Sequence, residues 1–346
     1  MTYLRPTLKH LPRILRPTSV RAHSTSVSEN ELSHFSSLAS SWWDPMGPSR
    51  ILHLMNPLRH EFISSCLVEG PPSPSSSQPN NLRYLDVGCG GGIFAESLAR
   101  TIPSPSSSSS SSSVPSSLAT PTRAASITAI DPTPTLIQIA REHARTDPAI
   151  AAHLSSGRFK YQNCTLEDMV RSASMSMQEK EMKKESFTSS AAGGTGHPTL
   201  PESESQFDVV TLFEVLEHID TNASSAPLKF LADCLRLLRP GGWLVGSTIS
   251  RSFPSFVINQ VIAEAPWPIG VVPRGTHDWV KFVNPDELLA WLQEGLVRSA
   301  DATDKDVCRE MQWKCSGVMY FPGLGWKLVG GSEDWGNYFW AVRKGE

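Results

Sequence analysis

The chain has 346 residues, 39% of them hydrophobic, and a formal net charge of −3. That length is enough for one large domain or two small ones with a real core. The near-balance of charge gives no reason to expect a nucleic-acid partner, and no stretch has the uninterrupted apolar length of a bilayer span.

The first 28 residues stand apart. Met1 to Ser28 holds no acidic residue, while Arg5, Lys9, Arg13, Arg16 and Arg21 are basic and Leu4, Leu8, Leu11, Ile14 and Leu15 interleave with them. An Arg-rich, Ser-containing, acid-free and amphipathic start reads as a mitochondrial transit peptide over residues 1–28. A basic tail broken by Pro6, Pro12 and Pro17 is the competing reading. A secretory signal is excluded for want of an apolar core segment. The six cysteines, Cys66, Cys89, Cys164, Cys234, Cys308 and Cys315, form no CxxC pair and read as structural thiols of a reducing compartment.

Beyond residue 28 the pattern predicts one α/β domain, 29–346. Leu82–Val87 reads as a buried strand and Ile93–Arg100 as a helix. Ser126–Ile130 is the next strand, followed by a helix over Thr135–Arg145. Phe159–Gln162 is a short strand, Phe207–Phe213 a strongly apolar one, and Leu228–Leu238 a helix with apolar i, i+3, i+4 spacing. Gly242–Ile249 is a strand, Pro285–Gln293 a helix and Tyr338–Arg343 a terminal aromatic strand. Three Pro/Ser- or Ser/Lys/Glu-rich inserts, near 69–81, 103–121 and 172–205, cannot bury enough apolar surface to offset chain entropy and are expected to be disordered loops. Strands alternating with helices argue for a doubly wound, mainly parallel sheet whose ligands sit at the carboxyl ends of its strands.

The motifs fall at those ends. Tyr84-Leu-Asp-Val-Gly-Cys-Gly-Gly-Gly92 places a glycine-rich turn between a strand and a helix. Gly88, Gly90 and Gly92 lack the Cβ that would hinder a sharp turn and close ligand approach. Dinucleotide enzymes use such a turn too, but a carboxylate beside the loop, Asp86, repels a pyrophosphate and suits a cationic amino-acid moiety. Asp131, at the end of the next strand, suits two ribose hydroxyls, a role that NAD would also satisfy. The competing roles are a capping or loop-bonding carboxylate for Asp86 and a turn residue before Pro132 for Asp131.

Together with the apolar strand Asp208–Phe213 and Leu235-Arg-Leu-Leu-Arg-Pro-Gly-Gly242, in this order and spacing, these elements resemble the class I S-adenosylmethionine methyltransferases. Ser41-Trp-Trp-Asp44, Met55-Asn-Pro-Leu-Arg59, Phe213-Glu-Val-Leu-Glu-His218 and Gly275-Thr-His-Asp-Trp279 with Lys281-Phe282 are similar in particular to the ubiquinone biosynthesis O-methyltransferases. The resemblance runs from about Phe35 to the C-terminus apart from the inserts. It implies a Rossmann-like, seven-stranded sheet and an enzyme that methylates a ring hydroxyl of polyprenyl catechols, namely 3,4-dihydroxy-5-polyprenylbenzoate and demethylubiquinol. It further implies a peripheral place on the matrix side of the mitochondrial inner membrane, in a multi-enzyme complex. By the same resemblance Arg59, Gly88, Asp131 and Phe213 hold S-adenosylmethionine. Physically, Arg59 can take the methionyl carboxylate in a bidentate pair, and Phe213 can face the adenine or the substrate channel. Their competing roles are a surface salt bridge and a core aromatic. Glu167 and Asp168 are weaker candidates for the adenine contact.

Glu214, Glu217 and His218 follow a buried strand at the same end. Two carboxylates and an imidazole suit a divalent ion, Mg²⁺ ahead of Zn²⁺, on which a catechol could chelate. The alternative is an acidic helix start with His218 as general base or loop histidine. His277 and Asp278 form a second candidate base pair, or belong to a lid. The stretch Phe253–Val272 suits an apolar lid over a polyprenyl tail or an interfacial anchor, with ordinary packing as the alternative.

Overall fold

The computed structural model describes residues 26–69, 81–103, 120–175, 206–220, 226–266, 275–276, 278–299, 310–321 and 323–345. Eight strands form one sheet: β1 Leu82–Val87, β2 Ala124–Asp131, β3 Phe159–Asn163, β4 Phe207–Phe213, β5 Leu238–Ile249, β6 Gln312–Phe321, β7 Gly325–Val329 and β8 Asn337–Arg343. Their order across the sheet is β3-β2-β1-β4-β5-β8-β6-β7, with β1 to β5 parallel and β8, β6 and β7 antiparallel. The expected seven strands therefore become eight. Two of them have no predicted range: β6, half-exposed over most of its length, and β7, a five-residue edge strand between glycine turns.

The helices are α1 Glu29–Leu38, α2 Arg50–Glu69, α3 Ile93–Ala99, α4 Pro134–Ala144, α5 Pro148–Ser155, α6 Ala226–Leu237 and α7 Pro285–Ser299. A further helical turn set spans 166–175, and Phe256–Ile262 winds as a π-helix. Because side chains alternate across a strand, Tyr84, Val209 and Val245 point into one core layer with Phe62 and Leu98. Their neighbours Leu85, Val210 and Leu244 point into the other, with Leu231, Leu235 and Leu288. Both faces are covered, which is why these strands read as nearly continuous apolar runs.

Several boundaries differ from expectation. The chain enters β5 directly through Arg239-Pro-Gly241, with a register shift between Phe207 and Val209, so the Pro-Gly-Gly element is a bulged strand start and not a free turn. Helix α2 escaped the periodicity because Pro57 sits inside it and reads as a break. The helix over 166–175 runs into the third insert, so residues 172–175 are ordered structure and not loop. The remainder of the three inserts, 70–80, 104–119 and 176–205, and residues 1–25 of the leader lie outside the described residues. Ser26 and Ser28, also assigned to the leader, are tied to the domain. Asp220 N–H donates to the Ser26 carbonyl at 2.8 Å, Ser26 N–H donates to Glu167 at 3.1 Å, and Ser28 caps α1. The described cysteines are free thiols.

Candidate active site

The sheet order reverses at β1, with β2 on one side and β4 on the other, and the crevice beyond their carboxyl ends is where an α/β sheet takes its ligands. A cavity of about 630 Å³ opens there, lined by Asp86, Gly88, Gly90, Asp131, Arg59 and Phe213, and also by Glu214, Glu217 and His218. Eight of the nine predicted cofactor and metal residues thus come from three strand ends; Arg59 reaches in from α2.

The glycine loop is held from outside. Gly88 and Cys89 N–H groups donate to the Ile130 carbonyl, and Gly90 N–H donates to Asp131 Oδ2 at 2.9 Å. Asp131 Oδ1 accepts from Thr133 N–H at 2.8 Å. Burial pushes the Asp131 carboxyl up, and these two backbone donors oppose the rise. Each oxygen keeps a second lone pair for a further donor.

Asp86 is buried as well. Its Oδ1 accepts from the Thr211 hydroxyl at 2.7 Å, while Oδ2 has no partner among the described residues. Burial pushes its pKa up to about 7, against the pull of the Thr211 bond and of Arg59. Arg59 is buried over the Phe213 ring, 4.9 Å from guanidinium carbon to ring centroid. Its Nη1 donates to Asn56 Oδ1 at 3.1 Å, and Nε has no partner among the described residues. Burial lowers its pKa, opposed by Glu214, Asp86 and Glu217. One wall of the cavity therefore carries an incompletely satisfied carboxylate and an incompletely satisfied guanidinium, the pair of charges a zwitterionic amino acid requires. That donor set fits the methionyl end of S-adenosylmethionine. Phe213 is both core and wall: its ring packs edge-on against Phe94 at 4.7 Å.

Beyond β4 the backbone is strained. Glu214 has φ +56, which a non-glycine residue rarely adopts. Its Oε1 accepts from the Ser247 hydroxyl at 2.6 Å, and Glu217 Oε2 accepts from the Thr248 hydroxyl at 2.8 Å. Burial, and then the neighbouring Glu214, push Glu217 well above the usual carboxylate range. Two adjoining carboxyl groups in a dry site need a proton or a cation between them. His218 lines the same cavity, with Nδ1 3.2 Å from Glu31 Oε2. Among the described residues no three His, Cys, Asp or Glu side chains converge as a ready metal centre. The carboxylate pair suits a cation chemically, but the three candidate ligands are not brought to one point.

Of the second candidate pair, His277 lies outside the described residues. Asp278 is exposed, accepts from Val280 N–H at 3.1 Å as the cap of the short helix Trp279–Lys281, and does not line the cavity. Asp168 lies inside the helix over 166–175, where its N–H donates to the capping Thr165 hydroxyl at 3.2 Å and its Oδ2 accepts from that hydroxyl at 2.8 Å, and Glu167 accepts from Ser26; neither lines the cavity.

The N-terminal segment supplies residues to which the sequence assigned no role in the site. Leu32, Phe35 and Leu38 of α1 form part of the cavity wall. Trp42 lies on the glycine loop so closely that a Cβ on Gly91 would fall 2.3 Å from its ring. Trp43 Nε1–H donates to the Gly91 carbonyl at 2.9 Å, and its ring stacks on His143 at 3.4 Å. The Ser41-Trp-Trp-Asp44 motif was the available signal; its target loop, some 48 residues away, was not visible in it.

A model of the methyltransferase domain family matches residues 58–295, more than half of the chain. The chain is 31% identical to the mitochondrial ubiquinone biosynthesis O-methyltransferase of Candida albicans, over 92% of this chain and 86% of that protein. It is 34% identical to the mitochondrial protein of the same name from Schizosaccharomyces pombe, over 79% of this chain and 73% of that one. The ubiquinone biosynthesis O-methyltransferase of Pasteurella multocida is 30% identical over 80% and 86%. With the parallel sheet, the glycine loop and its two acidic partners in place, the chain is a methyltransferase and belongs to the ubiquinone biosynthesis O-methyltransferase family.

Proposed function

We propose that this enzyme moves the methyl group of S-adenosylmethionine to a ring hydroxyl of polyprenyl catechols, 3,4-dihydroxy-5-polyprenylbenzoate and demethylubiquinol, in ubiquinone biosynthesis. The observation that carries the reading is the pairing of Asp86 and Arg59, each with an unsatisfied buried atom, on the wall of one largely apolar cavity. Arg59 takes the methionyl carboxylate, Asp86 the ammonium, and Asp131 the ribose hydroxyls. Phe213, Phe94 and Leu136 exclude water, so that a phenolate oxygen attacks the sulfonium methyl in line with little solvent to reorganise. The C–S bond breaks as the O–CH₃ bond forms, and the phenol proton leaves to a base or to solvent.

Glu214, Glu217 and His218 would hold Mg²⁺ in this reading, His218 through the ring nitrogen that does not face Glu31. Bound there, the ion would lower the pKa of the phenol. What supports this is the paired, buried carboxyl groups, which need a positive partner. The second reading keeps those carboxyl groups protonated and makes His218 the general base, favoured by the present turn of His218 toward Glu31. Incubation with labelled S-adenosylmethionine and a panel of catechols, with and without chelator, tests both. Methylation of polyprenyl catechols that chelator abolishes and Mg²⁺ restores is the expected result. Full turnover in chelator leaves the general base, and no transfer to any catechol removes the substrate class.

The enzyme is also proposed to act in mitochondria, peripheral to the inner membrane and within a biosynthetic complex. The acid-free residues 1–28 and two mitochondrial relatives support the location. A reporter fused to residues 1–28 that stays in the cytosol would defeat it.

A further inference from the structure

Helix α1 forms part of the cavity wall and meets His218 through two of its residues. Glu31 Oε2 lies 3.2 Å from His218 Nδ1, and Glu31 Oε1 accepts from Lys281 Nζ at 2.7 Å. One turn on, Phe35 sets its ring edge-on against the His218 imidazole, with centroids 4.8 Å apart and planes at 83°. Residues four apart share a helix face, so α1 presents a carboxylate and an aromatic wall to a single imidazole. The Lys281 ammonium at Oε1 pairs with Glu31 as a carboxylate. Glu31 is therefore an acceptor only, and the ring nitrogen facing it must be the protonated one. Nε2 is then left with the lone pair, on a side chain that lines the cavity.

We propose that Glu31 is the positioning residue for His218, holding it as the Nδ1–H tautomer so that Nε2 is the nitrogen offered to the reaction. The proposal rests on the methyltransferase reading above, in which His218 serves as base or ligand. Either role needs an unprotonated Nε2, and carboxylates placed in this way behind a working histidine fix both its tautomer and its orientation. A residue far from the chemistry in sequence thereby makes the closed position of α1 a condition of turnover: with α1 lifted, His218 loses its partner.

Nitrogen-15 NMR of histidine-labelled enzyme reads the tautomer directly, with His218→Gln assigning the signal. The wild type should show Nδ1–H, and Glu31→Ala should populate Nε2–H. In the same Glu31→Ala protein, folded by its melting curve, kcat should fall on the order of 10–100-fold while affinity for S-adenosylmethionine stays unchanged. Lys281→Met, which removes the other tether of Glu31, should retain both kcat and the tautomer. An Nε2–H tautomer in the wild type overturns the proposal, and that measurement needs no variant to fold. Unchanged kcat in folded Glu31→Ala, or an equal loss in Lys281→Met, overturns it too, the latter by making Glu31 a helix tether. If the wild type methylates no catechol, the substrate reading fails while the tautomer result still decides the role of Glu31.

Discussion

Asp86 shows how one side chain links folding, titration and binding. A carboxyl group with a pKa near 7 in the folded protein binds a proton across a range where the unfolded chain has already lost it. The folded state thus holds more protons between about pH 4 and 7, and by linkage the ligand-free protein loses stability as pH rises through that window. A cationic ammonium at Oδ2 reverses the preference, because it stabilises the ionised form. Binding of S-adenosylmethionine is therefore expected to weaken as pH falls below 7 and to release a proton there. Calorimetry in buffers of different ionisation enthalpy measures that proton. Asp86→Asn should abolish the release and weaken binding at pH 8 by about 1.5–3 kcal/mol, the usual worth of a hydrogen bond to a charged group; pH-independent binding by the wild type would separate Asp86 from the ligand. At this scale the sequence was most informative where the chemistry is local. Asp86, Asp131 and Glu214 stand at strand ends beside their motifs, so type and spacing led to them. Glu31 was illegible, since nothing near it announces a partner 187 residues away.

The glycine loop between β1 and α3 is the element on which the site depends, and its constraint is steric on both sides. Gly92 begins α3 at φ +90, and a Cβ there would lie 2.2 Å from the hydroxyl of buried Tyr161. Gly157 has a similar φ of +74, but its nearest neighbour is the flexible end of Lys160 at 3.6 Å. Gly157→Ala should accordingly cost only the left-handed backbone penalty, about 1–2 kcal/mol. Gly92→Ala should cost visibly more and also weaken S-adenosylmethionine binding, because the loop must shift to make room. Urea midpoints of the two variants, with affinities alongside, check the comparison; equal losses would mean that Tyr161 yields freely. The central strands were readable for a related reason: burial on both faces leaves little choice of residue. The edge hairpin β6–β7 and helix α1 were not. They are half-exposed, and a partly wet surface tolerates sequences without a clear period.

For the molecule as a whole, the cavity sits beside an apolar surface. Phe253 is 76% exposed and Val261 53%, on the same segment as Ile258 and Ile262, which line the cavity, and Trp335 and Tyr320 continue the rim. Among the described residues no helix is long and apolar enough to cross a membrane. Exposed apolar side chains grouped at the mouth of a binding site are characteristic of an interaction surface. The proposed polyprenyl substrate would reside in a bilayer, and a rim that dips into the interface would then let the tail slide into the cavity without crossing water. Transfer of an exposed Phe and Val into the acyl boundary is worth up to about 1.5–3 kcal/mol each. The double substitution Phe253→Ser and Val261→Ser should therefore reduce co-sedimentation with phosphatidylcholine–cardiolipin vesicles by at least roughly tenfold, since each 1.4 kcal/mol is one decade in affinity. It should raise KM for a long-tailed catechol presented in those vesicles. Turnover on a short-tailed, water-soluble catechol should stay the same, because neither side chain lines the cavity. Vesicle binding equal to that of the wild type would detach this rim from the membrane. A matching loss on the water-soluble substrate would instead show that the segment shapes the site, as a lid packed against the sheet.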